Sequence, residues 1–242
     1  MVINVSRSAL LEIDVQNDFC PAYVSSSGQR FGPGALAVTG GDEVVKALNA
    51  LALKVHAAGG RVIATQDWHP PFHISFASSH EGKQVHDTVT VPLSPVRESL
   101  TRTGLALPEA IDQTLWPDHC VQGSAGAAFH ADLDLAPVQY ILRKGSGKDL
   151  DSYSAFFEND RRTPTGLDGL LKGLGIHTVF LGGLATDYCV LYSALDAARL
   201  GYHTVVVSDA VRGVGVPEGS VERAVELMRD GGVSFMDSRE II

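Results

Sequence analysis

The chain has 242 residues, of which 45% are apolar and 19% charged, and its net charge is −9. That length and composition suit one α/β domain with a full core, and the acidity argues against nucleic acid or an anionic membrane as a partner. No apolar run is long enough to span a bilayer, Met1 to Leu11 lacks the two-part pattern of a signal peptide, and the three cysteines are too sparse for a disulfide framework, so a cytoplasmic protein with reduced thiols is expected.

In chain order, Ser8 to Ile13 is predicted as the first strand. Asp42 to Ala58 carries Val44, Val45, Leu48, Leu51, Ala52 and Val55 at helical spacing, with Gly59 and Gly60 as a stop. Arg61 to Thr65 and Val138 to Leu142 are the second and third strands. Gly166 to Leu174 is a short helix, and Thr178 to Leu181 a fourth strand. Asp187 to Leu200 is a helix ended by Gly201, and Thr204 to Val207 a fifth strand. Pro217 to Asp230 is a helix with proline at its start, and Val233 to Met236 closes the series. Strands alternating with helices predict a three-layer α/β/α architecture around a mostly parallel sheet of about six strands. Residues 1–242 read as one domain, with an elaborated insertion at about 67–137 that is rich in Pro, His, Ser and Gly and weakly periodic.

Ligands of open α/β sheets bind beyond the carboxyl ends of the strands. The residues that follow the predicted strands are therefore the first candidates. The first strand runs into Asp14, the second into Asp67, the third into Lys144, and the fourth through a Gly-rich loop into Cys189. Cys189 would sit in the first turn of a helix, where free N–H groups and the dipole favour a thiolate. A nearby lysine would lower the thiol pKa further, and a carboxylate could shuttle the thiol proton to a leaving amine. Position alone leaves a second reading open, in which Asp14 and Lys144 are a structural ion pair and Cys189 a small buried helix residue. Cys20 and Cys120, in loops, read as unreactive packing residues.

Asp67 and His69, two apart in a loop, can face one ion, and carboxylate with imidazole suits zinc, iron or manganese. Further ligands must come from elsewhere. His73, His80, His86 and His119 are the candidates, and spacing does not choose among them. The other reading is that Asp67 caps a turn and His69 lies on the surface. His56, His130, His177 and His203 carry no such signal.

Five segments together resemble the nicotinamidases of the isochorismatase-like hydrolase family. They are Asp14-Val15-Gln16-Asn17-Asp18-Phe19; Gln66-Asp67-Trp68-His69-Pro70 with His73-Ile74-Ser75-Phe76-Ala77; Trp116-Pro117-Asp118-His119-Cys120-Val121; Lys144-Gly145; and Gly182-Gly183-Leu184-Ala185-Thr186-Asp187-Tyr188-Cys189-Val190. The match runs in order from about Leu11 to Ser208. It implies the isochorismatase-like hydrolase fold, a catalytic triad of Asp14, Lys144 and Cys189, and an oxyanion hole at the Ala185 and Cys189 amides. It further implies one divalent transition metal, Zn2+ foremost with Fe2+ or Mn2+ as alternatives, on Asp67, His69 and His119. His73 is then a water-mediated or additional ligand. Phe19 and Trp116 would hold a pyridine ring, Ala185 would line its site, and a cis peptide is expected at Leu184–Ala185. The implied activity is hydrolysis of nicotinamide to nicotinate and ammonia in NAD salvage, with pyrazinamide as a further substrate, and a homo-oligomer remains open.

The longer Ser25 to Arg30 turn and the long loop from His80 to Leu107 depart from the family pattern without touching these segments. Relatives acting on carbamoyl compounds generally lack the full metal set, and vinyl-ether hydrolases of the family lack the cysteine. A non-catalytic metal-binding protein on the same fold is the rival of another class.

Overall fold

A computed structural model describes residues 4–93 and 109–241 of the chain. Strand β1 (Ser8–Ile13) is buried along its whole length, as a strand covered on both faces must be. A small antiparallel hairpin, β2 (Tyr23–Val24) and β3 (Arg30–Phe31), accounts for the extra length of the Ser25 to Arg30 turn. Helix α1 (Val44–Ala57) buries the six apolar residues expected from its periodicity. It ends in a Schellman turn in which Gly59 N–H donates to His56 O and Gly60 N–H to Val55 O. Gly59 adopts φ +83°, which a side chain would resist. The chain continues into β4 (Arg61–Asp67).

The predicted insertion follows. Its described part carries an antiparallel pair, β5 (Thr88–Pro92) and β6 (Ala110–Thr114), with Thr88 opposite Thr114 and Pro92 opposite Ala110. From residue 94 to residue 107 the predicted His80 to Leu107 loop lies outside the described residues. Strand β7 (Tyr140–Lys144) begins two residues later than predicted and includes Lys144. Helix α2 (Leu167–Gly173), strand β8 (Thr178–Leu184) and helix α3 (Leu191–Arg199) come next. Strand β9 (His203–Arg212) is longer at both ends than its apolar run. Helix α4 (Ser220–Asp230) starts three residues after Pro217, contrary to expectation. Pro217 instead follows a cis peptide in the preceding loop, and Ser220 N–H donates to its carbonyl. Strand β10 (Ser234–Met236) completes the sheet.

The six-stranded sheet has the order β10-β9-β8-β1-β4-β7 with every pair parallel. One face packs on α1 through Leu10, Leu48, Leu51, Val55, Phe180 and Val205. The other packs on α2, α3 and α4 through Leu11, Ile13, Leu171, Leu181, Ala194 and Met228. The expected three-layer architecture is therefore present. No helix of the described residues is long and apolar enough to cross a membrane.

Strand order reverses between β1 and β8, whose neighbours in the chain lie on opposite sides. That switch point opens a crevice at the carboxyl ends of the two strands. The strands approach closely there, because a Cβ on Gly183 would lie 2.0 Å from the Ile13 carbonyl oxygen.

Candidate active site

The crevice gathers its polar groups from four strand ends. Asp14 follows β1 directly with φ +48°, a left-handed turn that aims its carboxylate back over the sheet. Thr65 fixes that carboxylate: its hydroxyl donates to Asp14 Oδ1 at 2.6 Å and accepts from the Asp14 amide at 3.1 Å. Asp67 and Lys144 end β4 and β7 and face each other in register. Gln16 holds the Asp67 backbone, accepting from its N–H at 2.8 Å and donating to its carbonyl at 2.9 Å.

Lys144 is wholly buried, with its Nζ 2.9 Å from Asp14 Oδ2 and in contact with Asp67 Oδ1. It also donates to Ser152 O at 2.8 Å and to Cys189 Sγ at 3.5 Å. Burial works against its charge, but Asp14 and Asp67 outweigh it and hold the ammonium well above the usual lysine range. The same ammonium, with His69, keeps Asp67 below the usual carboxylate range despite burial. Asp14 moves the other way, because burial outweighs the attraction of Lys144.

Cys189 lies in a single π-helical turn, Thr186–Val190, between β8 and α3, and not in the first α-helical turn as predicted. Val190 N–H reaches back to the Ala185 carbonyl at 3.1 Å to close it, and the Leu184–Ala185 peptide is cis, as expected. The predicted lowering of the thiol pKa is also corrected. Burial, aided by the charges of Asp14 and Asp67, raises the thiol well above its ordinary value and outweighs Lys144. The resting group is a thiol. Its Sγ lies within 4.8 Å of carboxylate oxygens of both Asp14 and Asp67. The Asp14 carboxylate, paired through Oδ2 with the Lys144 ammonium, is thus within reach of the sulfur.

Asp67 Oδ2 points to the other side, 3.7 Å from His69 Nε2, and donor atoms of Asp67, His69 and His119 lie within 4.8 Å of one another. His69 Nδ1 sits 2.8 Å from Gly145 O, and His119 Nδ1 2.8 Å from Pro117 O. A carbonyl only accepts, so both rings carry their proton on Nδ1 and turn a free Nε2 lone pair inward. One carboxylate and two backbone-oriented imidazoles fit a divalent transition metal.

His73 stacks on His69 with ring centroids 4.1 Å apart. Its nitrogens are engaged by Ser75 Oγ at 2.7 Å and Leu150 O at 3.2 Å, and burial beside His69 lowers its pKa to about 4. It buttresses His69. His86, a further candidate from the sequence, is exposed, and its ring lies edge-on to Trp116 at 5.6 Å. Cys20 and Cys120 are buried in the core cluster under α1.

The cleft over Cys189 and Asp67 is walled by Phe19, Trp116, Tyr153, Tyr188, Ala185 and Val214. Phe19 and Trp116 thus share it with the thiol and with the His119 ring, as expected. Tyr153 and Asp151 line it too and were not foreseen. The Trp116 indole N–H donates to the Tyr153 hydroxyl at 3.1 Å, and Tyr188 meets the Trp116 ring edge-on at 4.9 Å. Nothing in spacing separates buried Asp151 from exposed Asp149, since neither ends a strand.

A buried acid–ammonium–thiol cluster beside a carboxylate–imidazole set lies at the switch point of a parallel α/β sheet, an arrangement suited to a hydrolase. The isochorismatase domain matches residues 8–240, and the chain belongs to that family. A curated relative, the nicotinamidase of Acinetobacter baylyi, is 42% identical over 98% of this chain and 95% of its own length. The solved structure of an Acinetobacter baumanii nicotinamidase and pyrazinamidase superposes with a TM-score of 0.82, at 40% identity, covering 98% of this chain and 99% of that one. The pyrazinamidase of Pyrococcus horikoshii in complex with zinc superposes at 0.69, with 30% identity over 96% of this chain and 99% of its own.

Proposed function

We propose that this chain is an amidohydrolase that converts nicotinamide to nicotinate and ammonia through a thioester on Cys189, acts in NAD salvage in the cytoplasm, and also accepts pyrazinamide. One observation carries the reading. The Cys189 thiol, in contact with the Lys144 ammonium that pairs with Asp14, lines the same aromatic-walled cleft as Asp67 and His119 of the donor set. A flat heteroaromatic amide uses both halves: the walls take its faces, and the carboxamide reaches the thiol.

When bound, a divalent ion on Asp67, His69 and His119, Zn2+ foremost with Fe2+ or Mn2+ as alternatives, supplies a Lewis-acid anchor for the ring nitrogen. The steps belong to the protein. Asp14 takes the Cys189 proton as the sulfur attacks the carboxamide carbon. Lys144 balances the charge that passes between sulfur and carboxylate. The backbone N–H groups of Ala185 and Cys189 receive the oxyanion, each donor contributing about 3 kcal/mol. Asp14 returns the proton to the departing nitrogen, and ammonia leaves. Water, deprotonated by Asp14, then attacks the thioester, releasing nicotinate and restoring the thiol.

The test is ammonia release from nicotinamide, pyrazinamide and small aliphatic amides such as acetamide by the purified protein. Nicotinamide is expected to turn over fastest, with pyrazinamide second. Turnover of the aliphatic amides alone would overturn the reading.

A further inference from the structure

Three carboxylates converge on the inner end of the crevice, and the Lys144 ammonium pairs with two of them. Asp14 and Asp67 both bind Lys144. The third acid is Asp151, from the loop after β7, which is buried and lines the same cleft. Its Oδ1 lies 3.9 Å from His69 Nε2, against 3.7 Å for Asp67 Oδ2 on the same nitrogen. Donor atoms of Asp151, His69 and His73 fall within 4.8 Å of one another, so Asp151 stands at the same range from the ring as the Asp67, His69 and His119 set.

The carboxylate is held in that orientation by two donors. Ser152 N–H donates to Oδ1 at 2.8 Å, and Gln113 Nε2 donates to Oδ2 at 2.8 Å. Gln113 is itself buried, on β6, and it receives Asn159 Nδ2 on its own oxygen at 3.3 Å. One of the two donors that aim Asp151 at His69, Gln113, therefore comes from the insertion between β4 and β7.

We infer that Asp151 is a further member of the metal-binding set, and that Gln113 of the insertion positions it. The inference rests on reading Asp67, His69 and His119 as metal ligands. His69 Nε2 has carboxylates on two sides, Asp67 and Asp151, and the Asp151 carboxylate offers the ion a further oxygen donor. Besides its ligands, the insertion in this view contributes Gln113, which orients that donor.

The experiment measures Zn2+ affinity of the chelator-stripped protein by competition with a chromophoric chelator, alongside the circular dichroism spectrum and melting temperature of each variant. Asp151→Asn is expected to weaken Zn2+ at least about tenfold, and Gln113→Ala by a smaller factor of about three. Asp149→Asn, the same charge change at an exposed neighbour, should leave affinity unchanged. Affinity within about twofold of the parent in folded Asp151→Asn overturns the inference. Should that variant not fold, unchanged affinity in Gln113→Ala overturns it instead. The parent and His119→Ala decide the underlying reading separately. A parent that does not bind Zn2+, or a His119→Ala variant that binds it as well as the parent does, sinks the ligand set itself.

Discussion

Asp67 and Lys144 are Cα partners at the carboxyl ends of two adjacent parallel strands, and their side chains close an ion pair over the strand ends. Asp67 divides its two oxygens: Oδ1 faces the ammonium and Oδ2 faces His69. The thiol half and the imidazole half of the crevice thereby share one carboxylate.

Replacing Lys144 by Met leaves Asp14 and Asp67 as uncompensated neighbours. Lys144 favours the ionised form of both, so its loss must raise the pKa of the base. The acidic limb of the kcat/KM profile is expected to move to higher pH, with kcat at pH 7 down by at least about a hundredfold. A profile that falls in height but keeps its acidic limb in place would contradict the charge-balancing role.

Cys189→Ala is expected to abolish ammonia release while nicotinate still binds, because the cleft walls do not depend on the sulfur. Retention of more than about a hundredth of kcat would remove the covalent step. Cys20→Ser and Cys120→Ser alter the core cluster on the α1 side of the sheet and leave the Cys189 thiol in place, so activity should survive with lowered thermal stability. Mass spectrometry of the singly alkylated protein checks the assignment, since label on Cys20 or Cys120 with parallel loss of activity contradicts it.

The identity of the third metal ligand separates His119 from His86. His119 turns its Nε2 toward the Asp67–His69 pair, whereas His86 is exposed beyond Trp116. Metal analysis should find the ion lost from His119→Ala and kept by His86→Ala. The opposite pattern would reassign the site.

Glu12 lies in the middle of β1 with both oxygens buried and unpartnered among the described residues. Burial, with a smaller contribution from Asp134, lifts its pKa from 4.5 to about 8. A raised acid is protonated in the fold and ionised in the unfolded chain between those values, so it erodes stability as pH rises from 4.5 toward 8. Glu12→Leu should therefore stabilise the protein more at pH 8 than at pH 5, by about 3 kcal/mol or more. Equal gains in urea melts at the two values would show that Glu12 does not titrate this way.

Asp187 accepts Val214 N–H at 2.8 Å, Gly215 N–H at 2.9 Å and the Ser220 hydroxyl at 2.5 Å. It thus ties the loop that carries Val214, a wall of the cleft, to the turn that carries Cys189. Asp187→Ala is expected to cost about 2–4 kcal/mol of stability and to raise KM more than it lowers kcat. A pure kcat defect would place Asp187 in the chemistry instead.

Most of the sheet was legible because its central strands are buried on both faces and read as largely apolar runs, as in Ser8 to Ile13, where Glu12 interrupts the pattern without ending it. Residues directly after strands were legible for the same reason, which located Asp14, Asp67, Lys144 and the Cys189 loop. Boundaries failed where polar residues continue a strand: Gln66 and Asp67 belong to β4, and Arg143 and Lys144 to β7. The thiol's true state was hidden because sequence proximity to a helix start says nothing of desolvation, which here prevails. Asp151 and Tyr153 escaped because their role depends on how a strand-free loop folds back onto β6 and the Cys189 turn.

Among the described residues strand β7 has β4 as its one neighbour, and Ile141 is exposed. An edge strand of five residues is ordinarily the first part of a sheet to fray. Here its last side chain is threaded inward and fastened to groups from β1, β4 and the following loop, so that Lys144 acts as a rivet for the sheet's border. Amide exchange along β7 should accordingly be slow in the parent and fast in Lys144→Met, so the lysine at the centre of the crevice also keeps the margin of the sheet from opening.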